Sequence, residues 1–131
     1  SNALAAAEAK ARARGLAARF IRQDATTLVS LGESYDTALD CGLFHILTDE
    51  ERVPYVDGLR RALPVGGRYF MLGLSAEDPG EWRGRMRKLT RADIESTFAD
   101  GWRVDSIEPA TIEITTDPNG LRAWRAALTR I

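Results

Sequence analysis

Cysteine and histidine are almost missing from this chain of 131 residues, which contains one of each. A single cysteine excludes an internal disulfide and any metal site built on thiolates, so we expect no metal. Charge of one sign is also lacking, because 18 lysines and arginines face 19 aspartates and glutamates, for a net charge of −1. This balance lacks the basic footprint of a nucleic-acid-binding protein, and we expect no nucleic-acid partner.

Long apolar runs are missing as well. The longest are far too short to span a bilayer, so we expect no membrane partner. The first residues lack the basic, apolar and small-residue order of a signal peptide. Apolar residues make up 44% of the chain and charged residues 28%, which is typical of a globular protein with its own core. These observations favour a cytoplasmic protein.

The amino-terminal segment divides into two parts. Residues 1–3 (SNA) look like the remnant of a cleaved expression tag, and residues 4–131 are interpreted as one α/β domain. Residues 4–14 are rich in Ala, Glu, Lys and Arg, which favour a helix, and Gly15 is suited to end it.

Strand patterns follow the first helix. Residues 19–22 place charges on either side of two apolar residues and predict a short strand ending at Asp24, followed by a loop through Gly32. Residues 35–42 predict a second strand. Residues 68–74 are short, aromatic and mostly apolar, as expected of a buried parallel strand. The loop of roughly a dozen residues between the first two strands is short for a parallel crossover, so these strands need not be neighbours.

Two helices carry start signals. Thr48 with Glu51 three residues on predicts a capping box, and Thr90 with Asp93 predicts a weaker one for a helix reaching about Ala99. The first of these helices carries apolar residues at helical spacing, namely Val53, Val56, Leu59 and Leu63. Alternating strands and helices indicate an α/β fold with a parallel sheet.

The remaining segments predict further strands. Residues 102–107 and 111–115 alternate as two strands with Pro109 between them. Residues 121–131 fit either a helix, by the spacing of their apolar residues, or a strand after a turn at residues 117–120. Periodicity alone leaves this choice open.

Four stretches, taken together, resemble the later part of class I S-adenosylmethionine-dependent methyltransferases. They are ARFIRQDAT, YDTALDCGLFHIL, LRRALPVGGRYFML and ADGWRVDSIEPATIEI, which resemble the family's third to sixth strands with their flanking turns. The likeness is to small bacterial enzymes related to thiopurine and tellurite methyltransferases. It implies an incomplete Rossmann-like sheet, with parallel strands, helices on the faces and an antiparallel C-terminal strand inserted between the fifth and sixth. On this resemblance, residues 121–131 are interpreted as that strand.

The resemblance also shows which segment the sequence lacks. The family begins with a strand, a G-x-G turn, a helix and a second strand that ends in an acid. Gly15 is the only glycine before Asp24, and it follows a helix rather than a strand. Gly66 and Gly67 lie between a helix and a strand, which indicates a tight turn and not a phosphate loop. We therefore expect a truncated domain that is impaired in binding S-adenosylmethionine, the cofactor the resemblance implies.

Two groups of residues are predicted to contact this cofactor. Asp24 can accept a hydrogen bond from an exocyclic amine, and Ala25 allows the backbone to approach a flat base; the resemblance puts this pair at the adenine. The alternative is an aspartate that caps a turn. Cys41, Gly42 and Leu43 lie at the carboxyl end of a strand, where open α/β sheets bind ligands, and the resemblance places them at the methionine part.

A possible catalytic group and an acceptor loop complete the candidate site. His45, the only histidine, is the candidate base, although a lone histidine is more often structural. Cys41 is interpreted as a small buried residue without a reactive role. Residues 82–91 carry five arginines and lysines with one Trp and one Met, which fits either a loop for an anionic or aromatic acceptor or, as we favour, a solvated surface loop.

Two functions follow from these interpretations. The first is transfer of a methyl group from S-adenosylmethionine to a small-molecule acceptor, in which the protein mainly aligns the two reactants. The alternative is a non-catalytic, methyltransferase-like remnant that forms a homodimer through an open sheet edge. A nucleotide-binding domain of another kind is disfavoured because no phosphate loop is found.

Overall fold

Four strands in one mixed sheet and three α-helices make up the computed structural model, which describes residues 2–81 and 84–131. In chain order the elements are α1 (Asn2–Ala13), β1 (Thr37–Cys41), α2 (Asp49–Ala62), β2 (Arg68–Leu74), α3 (Arg91–Thr97), β3 (Trp102–Ile112) and β4 (Leu121–Arg130). Short 3-10 segments lie at Ala25–Leu31 and Phe44–Ile46.

The sheet has the order β1-β2-β4-β3. β1 runs parallel to β2, and β4 is inserted between β2 and β3, antiparallel to both. This arrangement confirms the predicted mixed α/β sheet and the antiparallel C-terminal strand. The helical interpretation of residues 121–131 is wrong. β4 is hydrogen-bonded to β2 and to β3, and its alternate side chains Trp124, Ala126 and Leu128 lie in the core.

The hydrophobic core lies between one face of the sheet and helices α2 and α3. Four buried aromatic side chains lie in this core, and their rings contact one another at centroid distances of 5.5 to 6.1 Å. These aromatic residues are Phe44, Tyr69, Phe98 and Trp102.

Residues 19–22 do not form the predicted strand. An extended segment becomes a strand only when it has a hydrogen-bonded neighbour, and no described strand lies beside this one. The expected loop after Asp24 is a 3-10 segment that packs on α2. Its Leu28 contacts α2 so closely that a Cβ added to Gly58 would lie 2.7 Å from the Cβ of Leu28.

Residues 102–112 form one strand and not the two strands that were expected. The pairing with β4 shifts between Val104 and Ser106, so Asp105 is the extra residue of a bulge. Pro109 does not interrupt the strand because β3 is the edge of the sheet, where a missing N–H costs no ladder bond.

The capping signals of the two sheet-packed helices are confirmed. Thr48 and Glu51 form a capping box at the start of α2, and Thr90 and Asp93 form one at α3, which ends at Thr97. The apolar spacing in α2 was misleading at one position, because Val53 is 71% exposed.

On the opposite face of the sheet, none of the helices in residues 2–81 and 84–131 is packed. We call this the open face; it carries Leu39 on β1, Phe70 and Leu72 on β2, and Ala127 on β4. Leu39 is 80% exposed, and α1 contains no buried residue. No helix in the described ranges is long and apolar enough to cross a membrane.

Candidate active site

The carboxyl ends of the two parallel strands lie side by side, and the predicted site residues cluster around them. Cys41 is paired with Leu72, and the backbone N of Gly42 donates to the carbonyl of Leu72 at 2.9 Å. The chain then turns through residues 42–48, which we call the exit loop, into α2. Ligands of open α/β sheets bind beyond such strand ends.

Asp40, the last core-facing residue of β1, holds the exit loop in place. Its buried carboxylate accepts hydrogen bonds from the backbone N–H groups of Leu43 at 2.8 Å and Phe44 at 3.0 Å. It also accepts from the hydroxyls of Tyr55 at 3.1 Å and Tyr69 at 2.9 Å. One carboxylate thereby connects β1, the exit loop, α2 and β2.

The two tyrosines remain hydrogen-bond donors. Burial raises the pKa of Tyr55 and of Tyr69 above the ordinary tyrosine value, and the nearby charge of Asp40 adds to the effect. Both hydroxyls therefore stay protonated at neutral pH. Tyr55 and Tyr69 were not among the predicted site residues. Asp40 stands directly before the predicted residues 41–43, at the end of the strand where ligands were expected.

His45 lies in the exit loop and is 6% exposed. Its Nδ1 accepts a hydrogen bond from the backbone N of Leu74 at 3.0 Å, and its carbonyl accepts one from the backbone N of Arg87 at 2.7 Å. Burial lowers the pKa of His45, while the charge of Asp40 opposes this change. The neutral ring thus joins the exit loop to the end of β2. Because Nδ1 accepts, Nε2 carries the ring proton and is a hydrogen-bond donor in this arrangement.

Gly42 adopts a backbone conformation that favours glycine, with φ at +85°. A Cβ at this position would lie 3.4 Å from Cε1 of His45, which is a tight contact. Glycine therefore allows the chain to turn over the histidine ring. Leu43 is partly buried against the core, so it fits a pocket wall.

Cys41 is exposed, so its interpretation as a buried residue is wrong. Its side chain lies on the open face of the sheet, which no helix covers. Since β1 is also the edge of the sheet, neither a neighbouring strand nor a helix shields the thiol.

Asp24 caps the 3-10 segment that follows it. Its carboxylate accepts from the backbone N of Thr26 at 2.9 Å and from the Thr26 hydroxyl at 2.7 Å, and these bonds lower the pKa of Asp24. The backbone N–H of Thr48 and the side chain of Arg85 both donate to Glu51 and lower the pKa of its carboxyl. Ala25 packs against the same core as Leu43.

The basic segment is tethered to the rim of this region. Arg85 donates to both carboxylate oxygens of Glu51 at 2.7 Å, and the Arg91 guanidinium lies 4.6 Å from the centroid of the Trp124 ring. Lys88 donates to the carbonyl of Asp78. Trp82 and Arg83, which belong to the predicted acceptor loop, lie outside the described residues.

A groove of about 650 Å³ lies between α2 and α3, away from all the predicted site residues. Its charges largely pair with each other, Arg60 with Asp100 at 2.9 Å and Arg52 with Asp49 at 3.2 Å. Arg52 also lies 4.6 Å from the centroid of the Phe44 ring. These charges stabilise helix packing, and nothing in the sequence pattern indicated the groove.

The residues that would hold S-adenosylmethionine fit it in part. The exposed carboxylate of Asp24 suits an exocyclic amine, and Gly42 has no side chain above the ends of the parallel strands. Within residues 2–81 and 84–131, no strand is followed by a G-x-G turn and a helix. Asp24 and Gly42 are thus compatible with the predicted contacts, whereas the described residues supply no glycine-rich turn.

Comparison with known proteins identifies the family. Residues 1–67, just over half of the chain, match the sequence model of the methyltransferase domain. The chain therefore belongs to the methyltransferase domain family, and the resemblance to class I enzymes that use S-adenosylmethionine is confirmed.

Solved structures support the same fold. The chain is 25% identical, at a TM-score of 0.82, to a protein solved in work on the conversion of a disulfide bond into a thioacetal group during echinomycin biosynthesis, covering 97% of this chain and 62% of that one. A SAM-dependent methyltransferase from Methanosarcina mazei matches at 18% identity and TM-score 0.81, over 100% and 78% of the two chains. TehB from Haemophilus influenzae matches at 17% identity and a TM-score of 0.74, over 99% of this chain and 46% of that one. The chain thus spans about three fifths of the first of these relatives.

Replacing Tyr69 by phenylalanine tests the carboxylate network. Tyr69→Phe removes one donor from a buried charge, and we expect it to lower the free energy of unfolding by about 2 kcal/mol in urea denaturation. The matched control is Tyr35→Phe, whose hydroxyl donates to Glu33 at an exposed position and whose loss should cost below about 0.5 kcal/mol. Equal losses in the two variants would contradict a special role for the network.

His45 predicts a pH-dependent stability. Because its pKa is lowered on folding, the unfolded chain takes up the proton first, so stability is complete above the unfolded value of about 6.5 and is lost as the pH falls below it. The loss cannot exceed about 1.4 kcal/mol per pH unit for one proton. We expect unfolding between pH 7 and pH 5 to show this fall, and His45→Asn, which keeps an acceptor near the Nδ1 position without titrating, to reduce it. An identical pH dependence in both proteins would assign the fall to other groups.

Proposed function

We propose that the parent protein is an S-adenosylmethionine-dependent methyltransferase of a small-molecule acceptor and that this chain forms its acceptor side. The observation that supports this most is the meeting of two segments at the ends of the parallel strands. The backbone N of Arg87 bonds the carbonyl of His45, which brings the basic segment against the exit loop. One structural relative was solved in work on the biosynthesis of echinomycin, and this agrees with a small-molecule acceptor.

Each predicted residue has a distinct part in this proposal. Asp24 accepts from the adenine amine, and Ala25 leaves room for the flat base. Gly42 allows close approach to the methionine part, beside Cys41 and Leu43. The cofactor supplies an activated methyl group, so these residues contribute by alignment.

The role of His45 depends on the acceptor. The methyl group forms a bond to the acceptor as its bond to the sulfonium sulfur breaks, and a soft nucleophile needs no base. An oxygen or nitrogen acceptor has a proton to lose. Because Nδ1 of His45 accepts from the backbone N of Leu74, the neutral ring carries its own proton on Nε2. The proposed role as a base therefore requires the bond from Leu74 to open, so that Nδ1 can take the proton.

Weak cofactor binding by the chain alone belongs to the same proposal. By the resemblance, a glycine-rich turn and an acid at the ribose make a large part of the contacts to S-adenosylmethionine. The described residues provide neither of them. The domain assignment, residues 4–131 as a truncated methyltransferase domain in the cytoplasm, is part of this proposal as well.

Titration with S-adenosylhomocysteine, followed by amide chemical shifts, tests the assignment. We expect a dissociation constant on the order of millimolar, with shifts concentrated at Asp24, Ala25 and residues 41–43. Asp24→Ala should weaken binding severalfold, whereas Asp57→Ala, which removes an exposed aspartate on α2, should leave it unchanged. Shifts confined to other surfaces would contradict the site, and tight stoichiometric binding would contradict the impairment.

A second candidate is a non-catalytic, methyltransferase-like chain that forms a homodimer. The observation that favours it is the position of β1, which among the described strands has a hydrogen-bonded neighbour on one side, and whose Leu39 is 80% exposed.

Sedimentation velocity over a series of protein concentrations tests this candidate. We expect the weight-average sedimentation coefficient to rise from the monomer value toward the dimer value. A coefficient that stays at the monomer value across the series would contradict self-association and leave the methyltransferase proposal intact.

A further inference from the structure

The ring of His45 takes the place of a strand at the end of β2. Where the parallel ladder ends, the carbonyl of Leu72 accepts from the backbone N of Gly42 at 2.9 Å. Backbone groups of residues two apart in a strand point to the same side, so the N–H of Leu74 faces this side as well. β1 has already ended there, and the N–H of Leu74 donates to Nδ1 of His45 at 3.0 Å. The ring thus satisfies a buried backbone donor that the strand no longer reaches.

This bond decides which ring nitrogen of His45 carries the proton. A backbone N–H can only donate, so Nδ1 has to present its lone pair. Burial lowers the pKa of His45, although the charge of Asp40 opposes this change, and the ring is neutral at pH 7. A neutral imidazole has one N–H, which therefore lies on Nε2. Nε2 is thus a hydrogen-bond donor without a charge.

Nε2 has no partner within the part of the chain that the structure describes. His45 is 6% exposed, and among residues 2–81 and 84–131 only its Nδ1 takes part in a side-chain hydrogen bond. Two side-chain nitrogens in these ranges are both unpaired and closed to solvent, Nε of Arg52 and Nε1 of Trp102. Nε2 of His45 does not belong to this pair, so part of it reaches the surface. A bound molecule can therefore contact it.

Gly42 leaves this nitrogen uncovered. A Cβ at position 42 would lie 3.8 Å from Nε2 and 3.4 Å from Cε1 of His45. Any other residue would thus place its side chain beside the N–H, and the φ of +85° disfavours such a residue as well. The uncovered space lies beyond the carboxyl end of β1, where open α/β sheets bind ligands. A buried ring therefore presents one unpaired donor to the proposed methionine site.

One group in the methionine part of S-adenosylmethionine matches this donor. The ammonium can only donate and the sulfonium is positive, whereas the carboxylate has two accepting oxygens. Hydrogen bonds to a carboxylate are also stronger than those to neutral groups. The neutral state of the ring matters too, because an imidazolium would repel the positive sulfonium.

We propose that Nε2–H of His45 donates a hydrogen bond to the carboxylate of the methionine part of S-adenosylmethionine. This inference rests on the proposed methyltransferase function and adds a defined contact to its site. While the bond from Leu74 is closed, His45 is a binding residue and not a base. The backbone at the end of β2 thereby sets which atom of the neighbouring loop can hold the cofactor.

The position of the ring proton is the first test. Long-range proton–nitrogen NMR spectra give the ¹⁵N chemical shifts of both ring nitrogens, and the chain has one histidine, so both signals belong to His45. At pH 7 we expect the shift of a protonated nitrogen for Nε2 and that of an unprotonated nitrogen for Nδ1. A proton on Nδ1, or the averaged shifts of a ring that exchanges between both forms, would overturn the proposal before any ligand is added.

Two ligands that differ in the carboxylate test the contact itself. S-adenosylhomocysteine carries the amino-acid part, and we expect it to move the Nε2 signal together with the amides of residues 41–43. 5′-Methylthioadenosine lacks that part and should move the amides of Asp24 and Ala25 while leaving Nε2 in place. These shifts are measured on the unchanged chain, so they decide the question even if a variant of His45 fails to fold.

His45→Asn provides the matching variant. The asparagine oxygen can still accept from Leu74, but the donor at the position of Nε2 is lost. We expect its dissociation constant for S-adenosylhomocysteine to rise roughly fivefold or more, and that for 5′-methylthioadenosine to stay unchanged. Asp57→Ala, on the exposed side of α2, should bind both ligands as the unchanged chain does.

The outcomes separate this contact from the broader proposal. If the amides of residues 41–43 move without Nε2, or if both ligands move Nε2 equally, the contact is overturned and the methyltransferase site remains. Equal weakening of both ligands in His45→Asn would show a structural effect and would also count against the contact. A chain that binds neither ligand overturns the contact and the proposed function together.

Discussion

The buried carboxylate of Asp40 is the interaction on which the rest of the site depends. It accepts four hydrogen bonds, two from the backbone of the exit loop and one each from Tyr55 and Tyr69. A buried carboxylate without partners is costly, by several kcal/mol. The loop, α2 and β2 therefore have to be in place together. The same carboxylate fixes where Gly42 and Leu43 lie, which are the residues proposed to contact the cofactor.

Much of the fold follows from local patterns in the sequence. Residues 68–74 were predicted as a strand with the observed bounds because an aromatic, apolar run of this length has few alternatives. The capping boxes at Thr48 and Thr90 were found because a cap uses residues three apart and needs no distant partner. The strand at residues 19–22 was wrong because a strand needs a neighbour, and periodicity says nothing about whether one is present.

The site was less accessible to such patterns. Residues 41–43 were selected because they follow a strand, and the structure places them at the carboxyl end of the parallel pair as expected. The partners of Asp40 were missed because they lie 15 and 29 residues away in sequence and meet it only across the core. For His45 both interpretations rested on its type alone, and the hydrogen bond from Leu74 became visible only in three dimensions.

The sequence by itself determined the starts of α2 and α3, the strand at residues 68–74 and the membership of the methyltransferase domain family, because each depends on residues close together in the chain. Only the tertiary structure decided which residues share a charge, which strand has a free edge and which face stays uncovered. Those properties depend on contacts between distant segments, and the free energy of burying one carboxylate or one leucine is set by what the rest of the chain brings to it.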